Sequence, residues 1–247
     1  MFDSFGAVRG RYDAAMPEHP EPASVDAVAA LADPVRRSLF ELVRSAPAAV
    51  TREEAAAAMG VSRKLAAFHL DKLVSVGLLA VDTAAVATGR VGRRPRVYRP
   101  ATDADVQVLI PARKPQLLAA LLLEAITQQR PGEDGVASAL RVSRERGRVV
   151  GADERAARRP GRLGAERSLT LLTHLLERLG YEPSRQAPGP VWFRSCPFHP
   201  LAAESPTVVC GIHRAYLSGL VEGLEASSVE AVPAPGSGGC CVELRGR

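Results

Sequence analysis

Residues Thr51–Val81, TREEAAAAMGVSRKLAAFHLDKLVSVGLLAV, and Thr88–Pro100, TGRVGRRPRVYRP, decide the fold of the amino-terminal half. Thr51 followed three residues later by Glu54 is a capping box, which satisfies backbone donors of a first helical turn and starts a helix before the alanine run. Gly60 ends that helix. Ser62 caps the next, in which Leu65, Phe68, Leu73 and Val76 recur at roughly helical spacing and are expected to face inward. Two short helices joined by a tight glycine-containing turn form a helix-turn-helix. Strand character at Leu78–Val81 and Arg96–Tyr98, with a Gly/Arg-rich turn between, adds the wing of a winged helix.

The second helix reads as a recognition helix. Small Ala66 and Ala67 permit close approach, while Arg63, Lys64 and His69 supply donors for base edges or nearby phosphates. Ser62 is expected at a phosphate beside the helix N-terminus, and Arg90, Arg93, Arg94 and Arg96 in the minor groove or on the backbone. Between Gly60 and Pro100 eight basic residues stand against two acidic ones, giving +6, whereas the whole chain carries only +5. The positive charge is therefore concentrated in this unit. The partner expected is a pseudo-palindromic double-stranded DNA operator.

Outward from this unit the chain divides into four parts. Residues 1–23 hold scattered charges and Pro17, Pro20 and Pro22 and read as a flexible arm. Residues 24–100 are the winged helix-turn-helix, opened by a helix that Asp33–Pro34 interrupts and restarts, because Asp33 caps and Pro34 suits the first helical position. Residues 101–164 contain the apolar stretch Pro115–Gln128, expected as a buried helix or half of a homodimer interface. Basic, glycine-interrupted stretches at Arg144–Arg148 and Ala156–Gly164 follow it and read as a solvated linker or helix face. Residues 165–247 open with an amphipathic helix, Leu169, Leu172, Leu176 and Leu179 on one face and Gly180 at its end, and reach a short strand at Val191–Phe193. The fold class expected is α+β: a winged helix, a dimerisation helix and an α+β sensor domain.

All four cysteines lie in the last quarter, in RSCPFHPLAAESPTVVCGIHRAYLSGLVEGL (residues 194–224) and GSGGCCVELRGR (residues 236–247). Thirteen residues separate Cys196 from Cys210 and twenty-nine separate Cys210 from Cys240, which is no zinc-finger or zinc-ribbon spacing. Iron-sulfur clusters tolerate ligands from widely separated segments. Spacing alone leaves cluster, zinc and buried structural cysteines open. Neighbours in a strand point to opposite faces, so Cys240, which shares a face with Val242 and Leu244, is favoured over Cys241 as an inward ligand. His199 and His213 are candidates for completing the site, although each also suits a solvated position.

The stretches LADPVRRSLFELV (31–43) and VSRKLAAFHLDKLVSVGLL (61–79) resemble the ArsR-type winged-helix transcription regulators. The pattern CPFH, then Cys, then Cys-Cys, following a helix and a Trp/Phe strand, resembles the carboxy-terminal domain of SufR-like members, repressors of iron-sulfur assembly genes. That resemblance implies a [4Fe-4S] cluster held by Cys196, Cys210 and one of Cys240 or Cys241. It also implies a homodimeric repressor whose operator affinity answers to redox, nitric oxide or cluster status. The alternative is a winged-helix regulator that senses a small molecule or zinc, with structural cysteines. No acid partner or oxyanion-type glycine loop accompanies Cys196 and His199, so an enzyme is not expected. Nor does any run of about 18 apolar residues or any secretory core occur, and the expected location is the cytoplasm.

Overall fold

A computed structural model describes residues 22–83, 95–101, 108–234 and 239–247, which fall into two compact units divided near residue 108. The expected flexible arm, up to residue 21, and the wing-tip residues Arg90, Arg93 and Arg94 lie outside the described residues.

The first unit begins with α1 (Pro22–Ala30) and α2 (Pro34–Ser45). Asp33 caps α2, accepting from the Arg36 backbone N–H at 2.9 Å, and Pro34 occupies its first turn. β1 (Val50–Thr51) leads into α3 (Arg52–Met59), which carries the expected capping box and ends at Gly60 with φ 63°, a left-handed conformation that glycine adopts without steric cost. α4 (Arg63–Ser75) is capped by Ser62, whose hydroxyl accepts from the Leu65 N–H at 3.2 Å. β2 (Leu79–Thr83) and β3 (Arg96–Pro100) complete an antiparallel sheet in the order β1-β3-β2. Leu39, Val43, Leu70, Leu73, Leu79 and Tyr98 fill the core between helices and sheet.

The face that α4 turns inward differs from the expected one. Ala66, His69, Leu70 and Leu73 are buried, whereas Phe68 is 65% and Leu65 40% exposed. The inward positions repeat at i, i+3, i+4 and i+7, which is the helical stripe, and Ala66 at its head lets α4 approach its neighbours closely.

In the second unit α5 (Pro115–Thr127) and α6 (Gly135–Arg158) precede α7 (Ala165–Arg178). β4 (Pro183–Arg185) and β5 (Val191–Phe193) follow, then the single turn α8 (Leu201–Glu204), the long α9 (Pro206–Gly223), β6 (Val229–Pro233) and β7 (Val242–Gly246). The sheet runs β4-β5-β7-β6 with every neighbouring pair antiparallel. One continuous core includes Leu118 and Leu121 of α5, Val142 of α6, Leu172 and Leu176 of α7, Leu217 and Leu220 of α9 and Leu244 of β7.

Residues 109–164 are thus part of this unit's core and not a linker outside it. The basic stretch at Arg144–Arg148 sits on a 24-residue helix whose buried face is mostly small: Ser138, Ala139, Ser143, Gly147 and Gly151, with Val142 among them. Gly147 and Gly151 meet α9 where Gly219 and Gly223 line the opposite side. A Cβ on Gly147 would stand 2.0 Å from the Tyr216 carbonyl oxygen, and one on Gly219 2.0 Å from that of Arg144. Backbone therefore packs directly on backbone, a closeness only glycine allows. Arg144 and Glu222 form an ion pair across the same crossing.

Candidate functional site

In the first unit the candidate nucleic-acid surface is the exposed side of α4. Arg63 is exposed and pairs with Glu53 of α3, Lys64 is exposed, and Ser62 is committed to its cap. His69 is buried, with Nδ1 enclosed and without a hydrogen-bond partner, so the expected contact of this imidazole with base edges is withdrawn. Ala66 is likewise buried and does not face a duplex. The residues that replace them on the outer side are Phe68 and Leu65, apolar groups of the kind that meet a thymine methyl. Their signal in the sequence was the competing stripe 66-69-70-73, which leaves both outside.

A three-residue network fixes α4 in place. Tyr98 of β3 accepts from Arg52 Nε at 2.8 Å and donates its hydroxyl hydrogen to Asp71 Oδ1 at 2.7 Å, while Arg52 Nη2 reaches both Asp71 oxygens at 3.1 Å. Burial, and after it the bond to Asp71, pushes the Tyr98 hydroxyl pKa up. Arg96 Nη1 lies 3.8 Å from Asp71 Oδ1, so the base of the wing joins the same carboxylate.

The second unit gathers all four cysteines. Cys196 follows β5, Cys210 lies in the second turn of α9, and Cys240 and Cys241 immediately precede β7. Cys210 and Cys241 are disulfide-bonded with their Cα atoms 6.4 Å apart. Cys196 and Cys240 are not part of a disulfide and lie against each other; their interaction pulls the Cys196 pKa down and pushes that of Cys240 up. Backbone N–H groups of Phe198 and His199 also point to the Cys196 sulfur, and those of Val242 and Cys241 to the Cys240 sulfur. Cys240 is buried together with Val242 and Leu244, on the face expected for it.

Of the two histidines, His199 is exposed, whereas His213, expected on a solvated face or at the site, is 1% exposed. The His213 ring is stacked on Tyr181, with centroids 5.8 Å apart and planes 3° from parallel, and touches Phe193 and Phe198. Its Nδ1 is 3.3 Å from Cys240 Sγ. Burial lowers its pKa to about 3 and keeps the ring neutral. Tyr181 Oη and His213 Nε2 are buried without a hydrogen-bond partner.

The loop bearing Cys196 is held from the start of α5. The Lys114 N–H donates to the Pro197 carbonyl at 2.7 Å, and Arg113 Nη1 donates to the Cys196 carbonyl at 3.0 Å. Ser195 Oγ donates to Glu182 at 2.8 Å. Among the described residues no group of three or more His, Cys, Asp or Glu side chains is disposed to hold a metal ion, with Cys210 and Cys241 bonded to one another.

Residues 31–82 match the family of helix-turn-helix domains. The amino-terminal unit is thus a helix-turn-helix domain, the hallmark of a DNA-binding transcription regulator. No curated protein and no solved structure matches the chain. Among the described residues, no helix is long and apolar enough to cross a membrane.

Proposed function

We propose that the chain is a homodimeric, cytoplasmic transcriptional repressor, not an enzyme, whose second unit binds an iron-sulfur cluster of the four-iron kind and thereby adjusts operator affinity, as in SufR-like regulators. The observation that carries the sensor half is the meeting of four cysteines from three separate segments, two of them already met by paired backbone N–H groups. Such N–H groups are the donors that thiolate sulfurs of a cluster accept from. Cys196, Cys210 and Cys240 would hold the group, Cys210 becoming available once a dithiol reductant, itself oxidised to a disulfide, has converted the Cys210–Cys241 bond to two thiols. When bound, the cluster supplies a redox-active centre that oxygen or nitric oxide attacks.

The chain's own part is mechanical. Cys196 is tied through its carbonyl to Arg113 and through Pro197 to Lys114, so a change in where its sulfur is held moves the start of α5. The buried face of α5 is Leu117, Leu118, Leu121 and Ala125, and its other face carries Leu122, Leu123 and the 74%-exposed Ile126. That second apolar stripe is the proposed contact with a second copy, which sets the distance between the two recognition helices. About 1.4 kcal/mol of coupling between the thiol centre and the operator changes affinity tenfold.

On DNA, Arg63, Lys64, Phe68 and Leu65 face the major groove, with Ser62 at a neighbouring phosphate and Arg90, Arg93, Arg94 and Arg96 on the backbone or in the minor groove. Binding to a duplex measured over a range of salt tests this half. Neutralising Arg93 and Arg94 together is expected to weaken binding to every sequence and to lower the salt slope by about 2. An unchanged slope would remove the wing from the interface.

One observation favours a second reading, a regulator of an acidic small molecule. A groove of about 580 Å³ between α6 and α9 is lined by Arg130, Arg141, Arg144, Arg148 and Arg214, offset in part by Glu145 and Glu222.

A further inference from the structure

We infer that Phe68, backed by Leu65, is the specificity-determining residue of the recognition helix, and that it reads the C5-methyl group of a thymine in the major groove of each operator half-site. The inference deepens the DNA-binding reading and rests on it. Three features of α4 carry it.

The first is the place of these side chains outside the core. α4 completes its inward stripe with Ala66, His69, Leu70 and Leu73, and neither Leu65 nor Phe68 packs against the core of the first unit. Together they form an apolar patch, Phe68 65% exposed, with charge around it, which is the make-up of an interaction surface. The second is the flank. Lys64 stands one turn before Phe68 and Lys72 one turn after, both exposed and without an ion-pair partner among the described residues. Eight residues at 1.5 Å each part the two positions by about 12 Å, the width of the major groove. A duplex pairs both ammonium groups with phosphates while the ring between them meets base edges, whereas an apolar protein partner would bury them unpaired. The acidic neighbour Asp71 is already held by Arg52, Tyr98 and Arg96, so its charge is offset. The third is support. The Phe68 ring meets the buried His69 ring edge-on, with centroids 5.2 Å apart and planes at 72°, so it is restrained before any contact and costs less to order on binding.

The chemistry of the groove then selects the base. Seen from the major groove, thymine alone among the four bases presents a methyl group; the other edges offer hydrogen-bond donors and acceptors. A phenyl ring and a leucine side chain can neither donate nor accept. Set against guanine, adenine or cytosine they would strip water from a polar edge without replacing its hydrogen bonds, whereas against thymine they bury apolar surface on apolar surface. Leu65 lies one turn before Phe68 on the same side of the helix and extends the apolar cover. A methyl group so covered is expected to change affinity about fourfold per half-site, and about fifteenfold where a dimer meets two.

The test uses the full-length protein and the duplexes it recovers from a random-sequence pool. Each thymine of a recovered site is replaced in turn by deoxyuridine, which keeps the hydrogen-bonding edges and lacks only the methyl group. Affinities are measured at one salt concentration for the wild type, Phe68→Ala and Phe68→Leu. The expected result is one thymine per half-site whose replacement weakens wild-type binding about fourfold, has no effect in Phe68→Ala and an intermediate effect in Phe68→Leu. A wild type indifferent to every replacement, or a thymine preference that persists in Phe68→Ala, would overturn the inference and leave the DNA-binding reading standing. A wild type that recovers no duplex would overturn both. A Phe68→Ala protein that changes its sedimentation mass while keeping the thymine preference would assign the ring to a contact between copies, and the inference would fall with it.

Discussion

Tyr98 shows how much a single side chain holds in the first unit. Its hydroxyl joins Arg52 at the start of α3 to Asp71 in the middle of α4, so helix pair and wing strand share one network. Tyr98→Phe removes a buried hydroxyl but leaves Arg52 and Asp71 paired with each other; a loss of about 1–2 kcal/mol is expected, read as a lower denaturant midpoint with an unchanged slope. No change in midpoint would show that the ion pair alone fixes α4. At the same scale, His69 and His213 carry opposite lessons. Both are inside the protein, although sequence reasoning placed the first on DNA and left the second open. A histidine has an apolar ring with polar tips, and whether it is buried depends on what closes over it: for His213 three aromatic rings from residues 181, 193 and 198, far apart in sequence from one another or from it.

At the scale of elements, the capped helices were legible and the glycine-faced one was not. Thr51 with Glu54, Ser62, and Asp33 with Pro34 are local signals, and the structure places helix starts at each. α6 carries no comparable stripe of large apolar residues; apart from Val142 its buried face consists of Gly147, Gly151, serines and alanine, which pattern reading treats as polar linker. Only the partner glycines on α9 explain it. Gly219→Ala places a methyl against the Arg144 carbonyl, and a destabilisation above about 3 kcal/mol of the second unit is expected in thermal or denaturant unfolding. Gly135→Ala, where the added methyl meets nothing within 4 Å, is the matched control and should leave the midpoint nearly unchanged. A Gly219→Ala protein as stable as its control would mean that α6 and α9 do not cross as closely as described. For α5 the sequence offered two uses of its apolar residues, core or interface, and the helix has residues for both: one stripe is buried and the other exposed. Ile126→Glu is expected to sediment as a monomer where the wild type sediments as a dimer, and an unchanged mass would place the second copy elsewhere.

For the molecule as a whole, the two halves stand on different footings. The helix-turn-helix is fixed by local caps, a basic surface and a family match over residues 31–82, all of which the sequence contains in contiguous form. The cysteine centre is assembled from residues 196, 210, 240 and 241, and its spacing did not say which thiols would meet. Long loops bring ends together at little extra entropic cost, so sequence distance is a poor guide to convergence of this kind. What the fold adds is the arrangement: Cys196 against Cys240, Cys210 against Cys241, and a direct attachment of the Cys196 loop to α5. The most direct test of a cluster sensor joined to a DNA-binding domain is the visible absorption of the full-length protein purified without oxygen, with iron and sulfide measured on the same sample. The account predicts a broad band near about 400 nm accompanied by iron and sulfide, lost in Cys196→Ser, Cys210→Ser and Cys240→Ser alike. A protein that stays colourless after reconstitution with iron and sulfide would contradict it, leaving the helix-turn-helix regulator in place and moving the sensed ligand to the arginine-lined groove between α6 and α9.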